Sequence, residues 1–377
     1  MPRTKEILCL SNLPWAERMT RRQMIMSRMR DVRIVYIDPP EKRASFSRKR
    51  SEPYKPYPHV TVYSSSGFLS PDSPLFQTDP IRGRTAYLRY LNSVLSKEEM
   101  NAPLLWLYSP HYVSFAEEIA HDGLVYDCAD QFSRSAKGRK NDRTNKRELS
   151  LCRRADVVFA ARRDLYQKLV GYNSKTYLLP NGIDYRPKSG TQVPDADAFP
   201  RPLIGFAGDL SDNADVELLE AAAGHTEGTL LLVTTAEMRD RVDREAYLRL
   251  SSIENVVPHI VDSQPAILDA VSSFDLFLAP YREGTDESDL RTRVFFACLA
   301  AGKPIVSTKH SVLIGPFSDC VYASEDRESF LAMMDRALEE KDPERSARQL
   351  AYADGCRWDA RILEIRRLLA REGFLVD

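Results

Sequence analysis

Two carboxylates stand directly after a short apolar run in the first half of the chain. Asp127 and Asp130 follow the apolar residues 124–126, so a strand there would place both side chains just beyond its carboxyl end. A carboxylate in that place could take a proton from a hydroxyl group, if burial raised its pKa or a substrate docked within hydrogen-bond reach. An Asp after a strand also commonly caps the following helix. The spacing therefore predicts a general base or a helix cap.

A histidine occupies the corresponding place after another apolar run. His111 follows residues 104–108, again beyond the carboxyl end of a predicted strand. Imidazole titrates close to neutral pH, which suits proton transfer. The competing interpretation is that His111 caps or packs the start of a helix.

A glycine joins a strand pattern to a helix pattern in the second half of the chain. The apolar residues 203–206 lead through Gly208 to apolar positions with helical spacing. Such a turn lets backbone N–H groups and the positive end of a helix approach a phosphate closely. Two glycines are not the full dinucleotide fingerprint, and glycine also makes ordinary tight turns. The pattern predicts either phosphate binding or a turn.

Three arginines surround the start of a later helix pattern. Arg282 lies in the polar loop before it, and Arg291 and Arg293 lie in its first turns. Guanidinium groups match phosphate oxygens and could neutralise a leaving diphosphate without a metal ion. The alternative is a solvated helix start whose arginines pair with the acidic residues 286, 287 and 289.

The elements that must position these side chains follow from an alternation of short apolar runs with helical patterns. The runs cover residues 7–10, 32–37, 60–63, 104–108, 124–126, 156–160, 177–179, 203–206, 229–233, 274–279 and 304–307. This alternation predicts an α/β fold with two doubly wound parallel sheets. The proline-punctuated residues 187–202 indicate an exposed linker, so we predict domains at residues 1–197 and 198–377. Residues 41–58 and 64–82 fit no element and are predicted to be long loops.

Composition limits the class of protein. The 377 residues are 43% hydrophobic and 28% charged, which suits two domains with proper cores and excludes a disordered or collagen-like chain. The first 200 residues carry an excess of basic side chains and the others an excess of acidic ones. This segregation predicts an anionic partner for the first half, such as a phosphate-bearing acceptor or an anionic membrane surface; the alternative is a chance segregation of solvated faces.

The cysteines and the hydropathy indicate a reducing compartment. The six cysteines are scattered, with no Cys-x-x-Cys pair and no histidine at metal-ligand spacing, which predicts buried thiols and no metal site. No apolar run approaches the roughly 20 residues of a spanning helix. We therefore expect a cytoplasmic protein whose only membrane contact would be peripheral, on the inner face of the cytoplasmic membrane.

Several segments resemble one family in sequence and in order. The front half contains EILCLSNLPWAERMTRRQ, VRIVYIDPP, LLWLYSP, LVYDCADQFS, CRRADVVFAARRDL and YLLPNGID, and the back half contains FDLFLAP and LAAGKPIV. In this order they resemble the GT-B glycosyltransferases of bacterial surface and exopolysaccharide synthesis, and are similar to family-four-like and teichuronic-acid enzymes. The likeness extends over most of residues 5–340.

The resemblance implies two Rossmann-like domains facing a central cleft, with an acceptor on the first and a nucleotide diphosphate-sugar on the second. A last helix, at about 357–373, would pack back on the first domain. The implied donor-binding residues are Gly208, Asp209, His259, Tyr281, Arg282, Thr285, Arg291 and Arg293. The implied acceptor or cleft residues are Asn12, Trp15 and Arg22, of which Trp15 could equally be core. Asp130 becomes the favoured base, with His111 and Asp127 as further catalytic candidates.

One position departs from the family pattern. The donor helix commonly carries a Lys and a Glu, and the Glu often receives the ribose hydroxyls. Here Val294 stands at the Lys position and Ala297 at the Glu position. A methyl group accepts no hydrogen bond, so the ribose contact must come from elsewhere, or the donor is unusual, or donor binding has been lost.

The resulting hypothesis is a metal-independent glycosyltransferase that moves a sugar from a nucleotide diphosphate-sugar to a glycan or lipid-linked acceptor. It would use the donor as a co-substrate, with no resident cofactor and no nucleic-acid partner. Ala297 motivates an alternative, a non-catalytic GT-B scaffold that binds a partner enzyme or glycan. A nucleotide-sugar epimerase on the same fold is a third hypothesis, which the basic front half disfavours.

Overall fold

The computed structural model divides the chain into two compact units. One comprises Met1–Gly182 with Trp358–Asp377, and the other Ile183–Arg357. The structure describes all residues except 1–4, 17–18, 41–51, 66–79, 133–140, 186–192, 194–195, 209, 211–213, 236–240, 283–288, 310–314, 341 and 376–377. For residues 80–81, 241–243, 264–265, 289–292 and 316 it describes the backbone alone.

The first unit is built on one sheet whose described strands run in the order β3-β4-β2-β1-β5-β6-β7-β8. These strands are β1 (Glu6–Leu10), β2 (Arg33–Ile37), β3 (Tyr54–Tyr57), β4 (Val60–Tyr63), β5 (Leu104–Leu107), β6 (Gly123–Cys128), β7 (Val157–Ala160) and β8 (Thr176–Leu178). All pairs are parallel except β3 with β4. Its helices are α1 (Arg21–Arg28), α2 (Pro80–Lys97), α3 (Asp142–Arg154), α4 (Arg163–Val170) and, from the end of the chain, α11 (Trp358–Arg371).

Both faces of this sheet are covered, as a parallel sheet requires. Successive strand residues point to opposite faces, so Leu8 and Leu10 enter one core cluster while Ile7 and Cys9 enter the other. The first cluster is completed by α2, α3 and α4, and the second by α1 and α11. The central strands of this sheet are consequently almost continuously apolar.

The second unit repeats the plan on a smaller scale, with the described strands ordered β11-β10-β9-β12-β13-β14 and every pair parallel. Its strands are β9 (Leu203–Ala207), β10 (Thr229–Thr235), β11 (Val256–Val261), β12 (Leu276–Ala279), β13 (Ile305–Thr308) and β14 (Tyr322–Ser324). Its helices are α5 (Val216–His225), α6 (Arg241–Ser251), α7 (Gln264–Ala270), α8 (Asp289–Ala300), α9 (Arg327–Glu339) and α10 (Pro343–Gly355). The predicted α/β class with two doubly wound sheets is confirmed.

The boundary between the units differs from the predicted one near residue 197. The chain enters the second unit at Ile183, because Ile183, Val193 and Ala196 are buried in that unit's core. The Ile183 amide also donates to the Cys356 carbonyl (3.0 Å between N and O). The proline-punctuated stretch therefore contributes core residues to the second unit, and it is not simply an exposed linker.

Three strands occur where no apolar run was predicted. All three lie at sheet edges. Strand β3 is mostly exposed, β11 is buried only at its two ends, and β14 has only three residues. Edge strands need one apolar face at most, so their hydrophobic signal is weak. Strand β3 lies inside the predicted loop 41–58, and α2 begins inside the predicted loop 64–82.

The last helix belongs to the first unit. Trp358, Ile362, Ile365 and Leu369 of α11 are buried in the same core cluster as α1 and the strands it covers. None of the described helices is both long and apolar enough to cross a bilayer.

Replacing Ile365 by Ala is expected to destabilise the first unit by about 2–5 kcal/mol, because it opens a cavity in a fully buried contact of α11. Leu363, on the same helix but 57% exposed, provides the matched control, with an expected change below about 0.5 kcal/mol. All three tryptophans, Trp15, Trp106 and Trp358, lie in the first unit and are buried, so urea unfolding followed by tryptophan fluorescence reports on that unit. Equal stabilities of the two variants would contradict the assignment of α11 to this core.

Candidate functional site

The carboxyl ends of β1, β5 and β6 meet at one edge of the first sheet. These strands are neighbours in the order β1-β5-β6 and run parallel. The segments that follow them therefore emerge side by side, and they carry Asn12, His111 and Asp130 respectively. In open parallel sheets ligands bind beyond this edge.

Asp130 is held by two side chains from the far side of that edge. Its Oδ2 accepts a hydrogen bond from Asn12 Nδ2 (3.2 Å) and pairs with Arg22 Nη2. Arg22 Nε in turn donates to Asn12 Oδ1 (2.7 Å), and the guanidinium lies over the Tyr108 ring, 5.1 Å from its centroid. The structure thus brings together Asn12, Arg22 and Asp130, all three selected from the sequence. We call these three residues the rim cluster.

The exposure of the rim cluster is graded. The Arg22 side chain is buried, whereas that of Asp130 is 49% exposed. Asp130 Oδ1 accepts no hydrogen bond from the described residues. The carboxylate therefore has one oxygen fixed by the protein and one open to a ligand.

A second ion pair lies beneath the rim cluster. Arg21 Nε donates to Asp127 Oδ1 (2.8 Å), and the two side chains are 2% and 0% exposed. Burial raises the pKa of the Asp127 carboxyl, while the Arg21 and Arg22 charges act in the opposite direction. Full burial against Arg21 does not fit the base role considered for Asp127, because a base must reach the substrate. It fits a structural carboxylate.

Helix α1 presents both arginines from a capped start. The Thr20 backbone N–H donates to Gln23 Oε1 (3.0 Å), as in a capping box. The Gln23 amide nitrogen donates to the Pro14 carbonyl (3.0 Å), so the loop after β1 is tied to the same turn. From the sequence, Arg22 was a candidate cleft residue and Arg21 was not. The signal that could have drawn attention to Arg21 is the adjacency of two arginines at a helix start opposite two carboxylates.

His111 lies in a short helical turn, Pro110–Tyr112, which begins at Ser109. Arg147 of α3 places Nη1 3.1 Å from His111 Nδ1. A guanidinium can only donate, so Nδ1 is the acceptor and this contact favours the tautomer protonated on Nε2. His111 is thus a hydrogen-bond donor through Nε2 in this arrangement.

Trp15 is a core residue. Its side chain lies edge-on to Tyr36, with ring centroids 4.9 Å apart, and the residue is 7% exposed. Its backbone N–H donates to Asp38 Oδ1 (2.8 Å). Of the two roles left open for Trp15, the geometry therefore fits the core and does not fit a sugar platform.

Gly208 directly follows β9 at the carboxyl edge of the second sheet. Its φ of +142° lies in a region that residues with a side chain rarely adopt. Its N–H donates to the Val233 carbonyl (2.9 Å), so in this arrangement that N–H extends the pairing of β9 with β10. Asp209 lies outside the described residues. His259 is half-buried on β11, in register with Val233.

The loop after β12 begins with Tyr281 and Arg282. Tyr281 is buried in the core, and its carbonyl accepts from Thr308 Oγ1 (2.6 Å). Arg282 Nη2 donates to Glu217 Oε2 (2.7 Å) at the surface. This pairing resembles the alternative predicted for the loop arginines, although the partner is Glu217 and not residue 286, 287 or 289. A cavity of about 460 Å³ at this edge includes Tyr281, Arg282 and Thr308 in its lining.

The remaining donor candidates are described only in part. Thr285 lies outside the described residues, as does the side chain of Arg291, whereas Arg293 is half-buried on α8. Ala297 and Val294, the two departures from the family pattern, are both fully buried in the apolar core of the second unit. The described part of the chain contains no group of His, Cys, Asp and Glu side chains that could hold a metal ion.

No family model matches the chain. A Bacillus subtilis protein described provisionally as a teichuronic acid biosynthesis glycosyltransferase, TuaH, is 25% identical over 220 residues, which are 54% of this chain and 55% of that protein. The chain thus aligns with about half the length of this curated relative.

Solved structures match over nearly the whole chain. An E. coli structure described as trehalose-6-phosphate bound with UDP-2-fluoro glucose has a TM-score of 0.65 and 12% identity, covering 96% of this chain and 98% of that one. The chain has the GT-B fold. The α,α-trehalose 6-phosphate synthase of Burkholderia multivorans has the same score and identity at 99% coverage of both chains. Anabaena HepE, in complex with UDP and glucose, has a TM-score of 0.59 and 17% identity, covering 97% of this chain and 99% of that one.

Replacing Gly208 by Ala is expected to lower the free energy of unfolding of the second unit by about 1–3 kcal/mol, because a side chain is strained at φ +142°. The added methyl group meets no atom within 4 Å, so the cost is one of backbone conformation and not of collision. Gly224, in α5 of the same unit, also has no atom within 4 Å of an added methyl, and its replacement by Ala should be neutral or stabilising. Calorimetric unfolding compares the two variants, and equal stabilities would contradict the strain.

Proposed function

We propose that the chain is a glycosyltransferase that moves a sugar from a nucleotide diphosphate-sugar to a glycan or lipid-linked acceptor in surface polysaccharide synthesis. The observation that carries the proposal is the rim cluster, a half-exposed carboxylate fixed at the carboxyl edge of the first sheet in a GT-B chain. The donor is a UDP-sugar, since the E. coli and Anabaena structures of this fold hold UDP-2-fluoro glucose or UDP. The Bacillus subtilis relative supports the surface polysaccharide role.

Asp130 is the proposed base for the acceptor hydroxyl, the role that a transfer with inversion of configuration would require. Its Oδ2 is held by Asn12 and Arg22, and Oδ1 is free to accept the proton of an acceptor hydroxyl. A carboxylate already held in one orientation lowers the entropic cost of aligning the base with the hydroxyl. His111 supplies a hydrogen-bond donor from the next segment of the same edge, because Arg147 occupies its Nδ1.

The proposed donor site lies on the second unit. Backbone around Gly208 and the side chains of Arg291 and Arg293 would meet the diphosphate, whose developing charge guanidinium groups stabilise without a resident metal or cofactor. The ribose contact would come from a residue other than Ala297, whose place in the apolar core excludes a role for it. His259, half-buried on β11, is proposed to lie near the base.

The acceptor side supports a location at the cytoplasmic face of the membrane. None of the six cysteines, all of which lie within the described residues, forms a disulfide, and all six are buried, which is usual in a reducing compartment. The basic excess of the first 200 residues suits an anionic acceptor or an anionic lipid surface. We therefore propose a cytoplasmic enzyme whose membrane contact is peripheral.

Replacing Asp130 by Asn is expected to lower kcat for sugar transfer by about 100-fold or more, because the amide cannot take the hydroxyl proton. The Kd for UDP should stay within about twofold, since the rim cluster lies on the first unit. Asp122→Asn, just before the opposite end of β6, is the control and should keep full activity. Initial-rate kinetics and calorimetric UDP titration give both quantities; full activity of the Asp130 variant would remove it from the base role.

Replacing Arg291 and Arg293 together by Ala is expected to raise the Kd for UDP by about tenfold or more, through loss of charge-assisted hydrogen bonds to the diphosphate. Arg249→Ala combined with Arg336→Ala, which removes two exposed ion pairs on α6 and α9, controls for the same change in net charge. The same titration with UDP, GDP and TDP tests the scaffold alternative. If the wild-type protein binds none of the three at millimolar concentration, the non-catalytic scaffold is favoured over the enzyme.

A further inference from the structure

The ion pair beneath the rim cluster is buried, and the desolvation penalty of such a pair can exceed the attraction between its charges. Arg21 and Asp127 are almost completely excluded from solvent. Removing two charges from water carries a penalty of several kcal/mol per ion, and apolar replacements of similar volume are often neutral or stabilising. Stability alone therefore does not account for this pair. The alternative is that the pair positions the elements that carry it.

The buried pair and the rim pair join the same two elements. Arg21 and Arg22 are consecutive residues at the start of α1, and Asp127 and Asp130 lie at and just after the end of β6. The buried Arg21–Asp127 pair, with 2.8 Å between Nε and Oδ1, fixes the spacing between the start of α1 and the end of β6. Arg22 then reaches Asp130 across the same gap. A shift of the buried pair would move both partners of the rim pair.

Arg21 also fastens a third segment. Its Nη1 donates to the Leu179 carbonyl (2.8 Å) and to Asn181 Oδ1 (3.2 Å), in the stretch that follows β8. One guanidinium thus joins α1, β6 and residues 179–181. A planar guanidinium has several N–H donors in fixed directions, and a lysine ammonium cannot reproduce that geometry.

The end of β6 is fixed on its other face as well. Tyr126 and Cys128 point away from Asp127, and both contact Glu148 of α3, whose Oε1 accepts from the Tyr126 hydroxyl (3.0 Å). Glu148 is fully buried and pairs with Lys168 of α4. Two buried carboxylates on opposite faces of one strand end leave it little freedom to move. Asp130 follows two residues later.

We infer that Arg21 is a positioning residue for the transfer reaction: with Asp127 it sets the spacing between α1 and β6 at which Arg22 and Asn12 hold Asp130. This inference rests on the proposed function for its kinetic consequence, but its geometric part does not. Arg21 and Asp127 are too deeply buried to serve as groups that meet a substrate. A displacement of about 1 Å at a reacting group can lower a rate by about 100-fold, so loss of the pair acts on kcat.

The test uses the full-length chain with Arg21→Met and Asp127→Leu combined, so that no charge is left buried without its partner. The melting temperature is expected to stay within a few degrees of the wild type or to rise. The kcat is expected to fall by about 100-fold, the acceptor KM to rise, and the Kd for UDP to stay unchanged. A variant that folds and transfers sugar at the wild-type rate overturns the inference.

The control is another Arg–carboxylate pair, at the amino ends of strands in the same sheet. Arg33 and Glu6 form an ion pair at the amino ends of β2 and β1. Arg33→Met with Glu6→Leu removes the same charges far along the strands from the rim cluster and should leave kcat unchanged. An equal loss of kcat in this control would assign the effect to general loosening of the sheet and overturn the inference.

A second variant keeps the test decisive if the double replacement prevents folding. Arg21→Lys preserves the charge opposite Asp127 but loses the bonds to Leu179 and Asn181. We expect it to fold and to show a kcat reduced by about tenfold or more, with unchanged UDP affinity. Wild-type kcat in the Arg21→Lys variant would overturn the inference.

A readout without activity separates this inference from the proposed function. With ¹⁵N-labelled asparagine, the Asn12 side-chain amide signals report its bonds to Asp130 and Arg22, and Asn12→Ser assigns them. These signals should shift in both Arg21 variants and stay in place in the Arg33 control. Unchanged Asn12 signals would overturn the positioning role. If the wild-type protein transfers no sugar from any donor, the proposed function fails, while the Asn12 signals still decide the geometry.

Discussion

Parallel pairing of β1, β5 and β6 is the constraint on which the candidate site depends. Because the three strands are neighbours and run in one direction, the segments after them leave the sheet at the same edge. Residues separated by more than 100 positions in the chain, such as Asn12 and Asp130, thereby come within hydrogen-bond distance. Helices cover both faces of the sheet and bury its apolar side chains. Polar side chains therefore gather at this edge.

The energetics of that edge are those of a few charges in an apolar surrounding. Asp127 and Glu148 are buried on opposite faces of β6, each with a cationic partner, and both would be costly without it. Asp130 differs because half of its side chain reaches solvent. The gradient from a buried pair to a half-exposed one places a fixed carboxylate at the surface, which is the arrangement that a binding or catalytic group requires.

The second unit has a parallel sheet like that of the first, and Ala297 stands on α8 where the glycosyltransferases that the sequence resembles commonly carry a Glu. Ala297 packs in the apolar core together with Val294, so the helix face that would have carried the Glu is used for packing. Gly208 keeps the unusual backbone conformation expected at a strand-to-helix turn, and its N–H is used in sheet pairing. In the proposed function, donor recognition would therefore rely on backbone and arginine side chains more than on a carboxylate.

The amino-acid sequence by itself determined the α/β class, the two sheets and most of the central strands, because buried parallel strands are continuous apolar runs and need no partner to be recognised. It also pointed to Asp130, which follows such a run at the edge where parallel sheets bind ligands, and, through the resemblance in sequence, to Asn12 and Arg22. Edge strands β3, β11 and β14 and the entry of the chain into the second unit at Ile183 were decided by tertiary packing, because they depend on one-sided burial and on core contacts that no local pattern contains. The same holds for Asp127, Trp15 and Arg21: only the folded chain shows that Asp127 pairs with Arg21 out of reach of solvent and that Trp15 packs in the core, since burial and pairing are properties of distant segments brought together.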